Sequence, residues 1–100
     1  LTIMVSNLML EQDLSWDNMK ARQIDELEGY IVSQVVELIG AIESSHLTAF
    51  IVSNELGMGL VPPYPLGRIF RDIAGRINQL VARQSDEAYF LVSGLPVKLR

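Results

Sequence analysis

Ser53-Asn54-Glu55 is the tripeptide best placed for chemistry, because it follows an apolar run and turns the chain abruptly polar. In open parallel sheets, ligands bind beyond the carboxyl ends of the strands, where the backbone is free to form a crevice. A carboxylate and an amide at such a point could orient a metal-bound water or hold a sugar or purine edge. The alternative is that Asn54 and Glu55 bond to the backbone of their own turn and shape it. Gly57-Met58-Gly59 comes next and invites comparison with a phosphate cradle. A phosphate loop requires four residues between its glycines and a Lys-Ser or Lys-Thr after the second. Here Leu60 and Val61 come next, and the motif occurs nowhere in the chain. The two glycines are then expected to permit positive φ angles or a close packing contact.

Arg68, Arg71, Arg76 and Arg83 fall within one helical stretch and carry much of the positive charge. Forked guanidinium donors suit phosphates, but for Arg76 and Arg83 a solvated or subunit-facing surface is the better expectation. Asn78-Gln79 is polar beside a core stripe and is placed to bond to the neighbouring loop. His46 is the only histidine. It precedes a strand with no acidic, serine or cysteine residue placed to activate it, and a lone histidine cannot make a metal site, so a surface or helix-end role is expected. Trp16, Met4, Met9 and Met19 read as core or interface filler.

Periodicity defines the elements that must position these residues. Leu1 to Leu10 is apolar and reads as a short helix, and Glu11 to Trp16 reads as a loop. Ser15 or Asp17 is able to cap the helix after it. From Asp17 to Ser44, apolar residues Ile24, Leu27, Ile31, Val35, Leu38, Ile39 and Ile42 recur at three- and four-residue steps, predicting a helix. Gly29 and Gly40 weaken it by roughly 1 kcal/mol each if exposed. Leu47 to Ser53, continuous and β-branched, predicts a strand buried on both faces. Asn54 to Pro65 is a loop, and Pro65 suits the first turn of a second long helix. Leu66, Ile69, Phe70, Ile73, Ala74, Ile77, Leu80 and Val81 form that helix's stripe, with Arg68, Asp72 and Arg76 spaced for two weak ion pairs. Ala88 to Ser93 predicts a second buried strand, Gly94-Leu95-Pro96 a turn, and Val97 to Arg100 a short antiparallel edge strand.

One hundred residues with 49% hydrophobic and 20% charged content make one small globular domain. The net charge of −4 gives no reason to expect nucleic acid. The absence of cysteine excludes a disulfide scaffold and a thiolate metal site, and suits the cytoplasm. No apolar run approaches the roughly 18 residues of a spanning helix. The element order predicts an α/β layer architecture with a right-handed parallel crossover from Leu47 to Ser93. Two doubly buried strands are too few for a stable sheet, so further strands are expected outside these residues. Leu1 opens directly into an apolar segment, as a cut through a domain or a processed native terminus would leave it.

The run from Ile51 to Pro62 (IVSNELGMGLVP) is more specific than its parts, as is Arg68 to Gln79 (RIFRDIAGRINQ), with Ser93-Gly94 and Val97-Lys98-Leu99 beyond it. Together these strongly resemble the bifunctional adenosylcobinamide kinase/adenosylcobinamide-phosphate guanylyltransferase family of cobalamin biosynthesis. The opening segment from Leu1 to Leu8 is similar to the family's segment after its third strand. Pro62-Pro63-Tyr64-Pro65 departs from the family's usual single proline.

The resemblance implies a phosphate-loop fold of the recombinase type, of which residues 1–100 would be the C-terminal half. It implies an enzyme that phosphorylates the aminopropanol hydroxyl of adenosylcobinamide and then transfers GMP to that phosphate through a guanylylated histidine. GTP or ATP with Mg²⁺ would be its cofactors, and a trimer its usual assembly. The phosphate loop, the nucleophilic histidine and a strand-end acidic residue would all lie upstream, and His46 does not match the nucleophile. The chain alone is expected to be an inactive partner of that upstream half and to take no cofactor. Asn54, Glu55, Gly57, Thr2 and Arg68 are the candidate residues of the nucleotide or substrate crevice. A non-catalytic interaction module and a regulatory nucleotide-binding module are the alternatives.

Overall fold

The computed structural model describes residues 1–12, 14–55 and 65–100. Gly57, Gly59 and most of the expected Asn54 to Pro65 loop lie outside the described residues. In chain order the elements are helix α1 (Thr2–Leu10), a 3₁₀ turn (Trp16–Asn18), α2 (Ala21–Ser45), α3 (Pro65–Gln84), and strands β1 (Tyr89–Val92) and β2 (Leu95–Lys98).

The three helices pack on one another around one apolar cluster. Val5 and Met9 come from α1, Leu27, Ile31 and Val35 from α2, and Ile69, Ile73, Ala74 and Ile77 from α3. These positions repeat at three- and four-residue steps, so each helix offers one stripe to the other two. Full burial of each large aliphatic side chain contributes about 1.5–3 kcal/mol. Helix α1 is apolar on both sides: Val5 and Met9 are buried, whereas Ile3 and Leu10 are exposed.

Helix α2 begins at Ala21 rather than at Asp17, later than its apolar pattern suggests. Asp17 and Asn18 belong to the 3₁₀ turn, and Met19 and Lys20 are extended. Neither Ser15 nor Asp17 caps α2; Gln23 Oε1 instead accepts the Lys20 backbone N–H at 2.9 Å. At its other end His46 adopts the left-handed conformation, φ 56°, and Ser45 Oγ accepts the Leu47 N–H. His46 is thus a helix-end residue, as its isolation in the sequence implied.

The parallel sheet expected from the sequence is not formed by the described residues. Leu47 to Ser53 joins no strand ladder among them, and Phe50 and Val52 are 89% and 78% exposed. A doubly buried strand requires neighbours for its backbone groups and cover for both faces, and the described residues supply neither. The described sheet is an antiparallel hairpin in which Val92 opposes Leu95 across Ser93-Gly94. Both turn residues have positive φ, 50° and 77°. A two-residue loop of that kind matches strand twist and drives antiparallel pairing. The turn therefore falls at Ser93-Gly94 rather than Gly94 to Pro96, and the edge strand starts at Leu95. Pro96 is accommodated because an edge strand tolerates the missing donor. Ala88 to Ser93 is accordingly neither parallel nor buried, and the hairpin packs against none of the three helices.

The result is a slab with extents of 41 × 33 × 17 Å. Its radius of gyration, 14.7 Å, exceeds the about 13 Å of a compact chain this long. One helical layer and a detached hairpin account for that expansion.

Candidate functional site

The elbow at residues 53–55 is held by α1 on one side and α3 on the other. The Leu1 backbone nitrogen donates to the Val52 carbonyl at 2.8 Å. The Asn54 N–H donates to Thr2 Oγ1 at 2.9 Å. From α3, Asn78 Nδ2 donates to the Asn54 carbonyl at 2.9 Å, and Asn78 Oδ1 accepts the Ser53 hydroxyl at 2.6 Å. Thr2 Oγ1 and Ser53 Oγ lie 3.2 Å apart. Asn78 therefore bonds to the neighbouring loop, as its position beside the core stripe predicted.

Below the elbow an open groove of about 540 Å³ runs along α3, lined by Glu55, Arg71, Asp72, Arg76, Asn78 and Gln79, among others. The α3 residues share one face because they recur at helical steps, with Gly75 between them keeping the floor low. The groove is thus walled by carboxylates, amides and guanidinium groups, a mixed set suited to hydrogen-bonding a polar ligand.

Arg76 is half exposed yet paired. Its Nε donates to both carboxylate oxygens of Glu28 at 2.9 Å, and Nη2 donates to Glu28 Oε1. This pairing ties α3 to α2. The hydrogen bond to Glu28 raises the Arg76 pKa, against a smaller opposing effect of desolvation.

Of the sequence candidates, Glu55 lines the groove, while Asn54 and Thr2 meet in the hydrogen-bonded elbow beside it. Asn54 enters through its backbone N–H and C=O, which bond to the side chains of Thr2 and Asn78 rather than within its own turn. Arg68 stands exposed in the first turn of α3 and is not among the residues that line the groove. Gly57 lies outside the described residues. Asp72 and Gln79 were not candidates. Their common spacing with Arg71 and Asn78 along α3 was the available signal. Among the described residues no group of three His, Cys, Asp or Glu side chains comes together to hold a metal. No described helix is long and apolar enough to cross a membrane.

Comparison with known proteins gives this geometry a family. The model of the family described as cobinamide kinase/cobinamide phosphate guanyltransferase matches residues 1–99. The chain is 39% identical to the bifunctional adenosylcobalamin biosynthesis protein CobU of Salmonella typhimurium, over all of the chain and 55% of that protein. Against the protein of the same name from Escherichia coli it is 36% identical, over 99% of the chain and 54% of the relative. The corresponding figure for CobP of Pseudomonas aeruginosa is 32%, over all of the chain and 50% of the relative. The chain spans about half the length of the curated relatives it matches. With the match extending from its first helix through its hairpin, the chain belongs to the cobinamide kinase/cobinamide phosphate guanyltransferase family.

Proposed function

We propose that the protein carrying this chain phosphorylates adenosylcobinamide from a nucleoside triphosphate and then transfers GMP to the product, in cobalamin biosynthesis. The family match across residues 1–99 carries this reading. In it, the present residues form the nucleotide-side wall of the crevice, with Glu55 on the α3 groove, and the phosphate-binding loop comes from a segment outside these 100 residues. The chain holds no GxxxxGK[ST] sequence to cradle a triphosphate. His46, at the end of α2, lies in the wrong segment to be the guanylylated nucleophile. Among the described residues no three His, Cys, Asp or Glu side chains converge, and the Mg²⁺ that accompanies GTP or ATP would be held chiefly by the phosphates with one or two carboxylates. The 100 residues alone are accordingly inactive.

The experiment compares the intact protein and the 100-residue chain, each incubated with adenosylcobinamide and labelled GTP or ATP. Cobinamide phosphate and its GMP adduct are expected from the intact protein only. An intact protein that leaves adenosylcobinamide unphosphorylated refutes the assignment. Label retained on His46 of the short chain refutes its inactivity.

A further inference from the structure

We propose that Asn78 is the positioning residue of this crevice: its carboxamide closes a hydrogen-bond circuit through Thr2, Ser53 and Asn54 that holds Glu55 on the groove. The inference rests on the proposed reading of the groove as the ligand crevice.

Proton counting gives the direction of each bond. A serine hydroxyl has one proton, and that of Ser53 goes to Asn78 Oδ1 at 2.6 Å. In the 3.2 Å contact between Thr2 and Ser53, Thr2 is therefore the donor. Thr2 Oγ1 still has a lone pair, which accepts the Asn54 N–H at 2.9 Å. The Asn54 carbonyl accepts Asn78 Nδ2–H at 2.9 Å, and the ring is closed. Every member donates once and accepts once. The carbonyl of Asn54 has no proton to give, so the Asn78 amide has only one workable orientation.

Two further observations make Asn78 the member that sets position. Residues 47–55 join no strand ladder among the described residues, so the elbow lacks the backbone pairing that normally fixes a strand end. Asn78 stands on α3 beside Ile77, which is fully buried in the three-helix core. The side chain thereby ties the elbow to a helix anchored in the core. Glu55 follows Asn54 directly and lines the same groove as Asn78. Moving the Asn54 peptide moves the Glu55 carboxylate relative to α3.

The test uses the intact protein with Asn78→Ala, Thr2→Val and Thr2→Ser, measuring amide hydrogen exchange at Asn54 and steady-state kinetics with adenosylcobinamide. A net hydrogen bond is worth about a fivefold change in an equilibrium. Asn78→Ala and Thr2→Val should therefore speed Asn54 exchange at least about fivefold and raise KM for the nucleotide by about as much, with kcat little changed. Thr2→Ser keeps the hydroxyl and should stay near wild type in both. Unchanged Asn54 exchange in both disruptive variants overturns the circuit. Faster exchange with unchanged KM overturns the positioning role and leaves only turn shaping. Should Asn78→Ala fail to fold, the Thr2 pair decides the same question. A wild-type protein without cobinamide kinase activity removes the functional reading, and the exchange comparison still decides the circuit.

Discussion

The ion pair between Arg76 and Glu28 should contribute measurable coupling, and its size can be worked from the geometry. Two unit charges 4 Å apart attract by about 1 kcal/mol in water and about 4 kcal/mol at the effective dielectric of a protein surface. The side chains are 52% and 24% exposed, so solvent screening and lost side-chain entropy remove most of the larger figure. Exposed pairs give about 0.2–1 kcal/mol, and the forked contact of Nε with both carboxylate oxygens places this one at the top, about 1 kcal/mol. The assay is a double-mutant cycle of Glu28→Gln and Arg76→Gln in urea. With an m-value of about 1–2 kcal/mol/M, the coupling moves the midpoint by about 0.5–1 M. In 1 M salt, where the Debye length is about 3 Å, at least half of it should vanish. The pKa of Arg76 is raised, so its contribution is complete below the ordinary arginine value and is lost only as pH rises through the still higher folded value. Titration of Arg76 therefore leaves stability flat between about pH 6 and pH 9. Coupling below about 0.3 kcal/mol, or coupling indifferent to salt, refutes the reasoning.

Ile73→Ala should destabilise the protein by about 2–5 kcal/mol, because Ile73 is fully buried where the three helices meet; chemical denaturation reads it, and a loss under about 1 kcal/mol would contradict that packing. The 100-residue chain should self-associate in light scattering, because Phe50, Val52 and the hairpin residues Leu91 and Leu95 leave apolar surface exposed. A lone 11.2 kDa species with dispersed amide resonances would contradict this and favour a compact interaction or regulatory module.

Helix α3 was legible almost to the residue, because proline suits a first turn and the stripe from Leu66 to Val81 never breaks its spacing. The start of α2 was not, because Asp17 and Asn18, poor helix formers in an interior, are well suited to a helix N-terminus. What marks the start instead is the Gln23 side chain turning back to the Lys20 N–H, a choice made in the local geometry. The run from Leu47 to Ser53 announced apolar burial, yet burial in a sheet depends on partners that no local pattern supplies. The elbow was visible as a polarity break at Ser53, and Asn78 as a polar residue out of place. That Thr2 completes the ring was not visible: its contact with Ser53 closes over a sequence separation of 51 residues. Periodicity reports which face is apolar and says nothing about which distant hydroxyl lies opposite.

The most direct test of Glu55 as a ligand-facing residue is Glu55→Gln in the intact protein, with nucleotide affinity, turnover and melting temperature measured together. The substitution keeps shape and removes the charge from the groove wall. Affinity or turnover should fall about tenfold, equivalent to about 1.4 kcal/mol, while the melting temperature stays within about 2 °C, the shift of a stability change well under 1 kcal/mol. Kinetics that survive intact beside a large loss of stability would show that Glu55 shapes the turn and that the ligand crevice lies elsewhere.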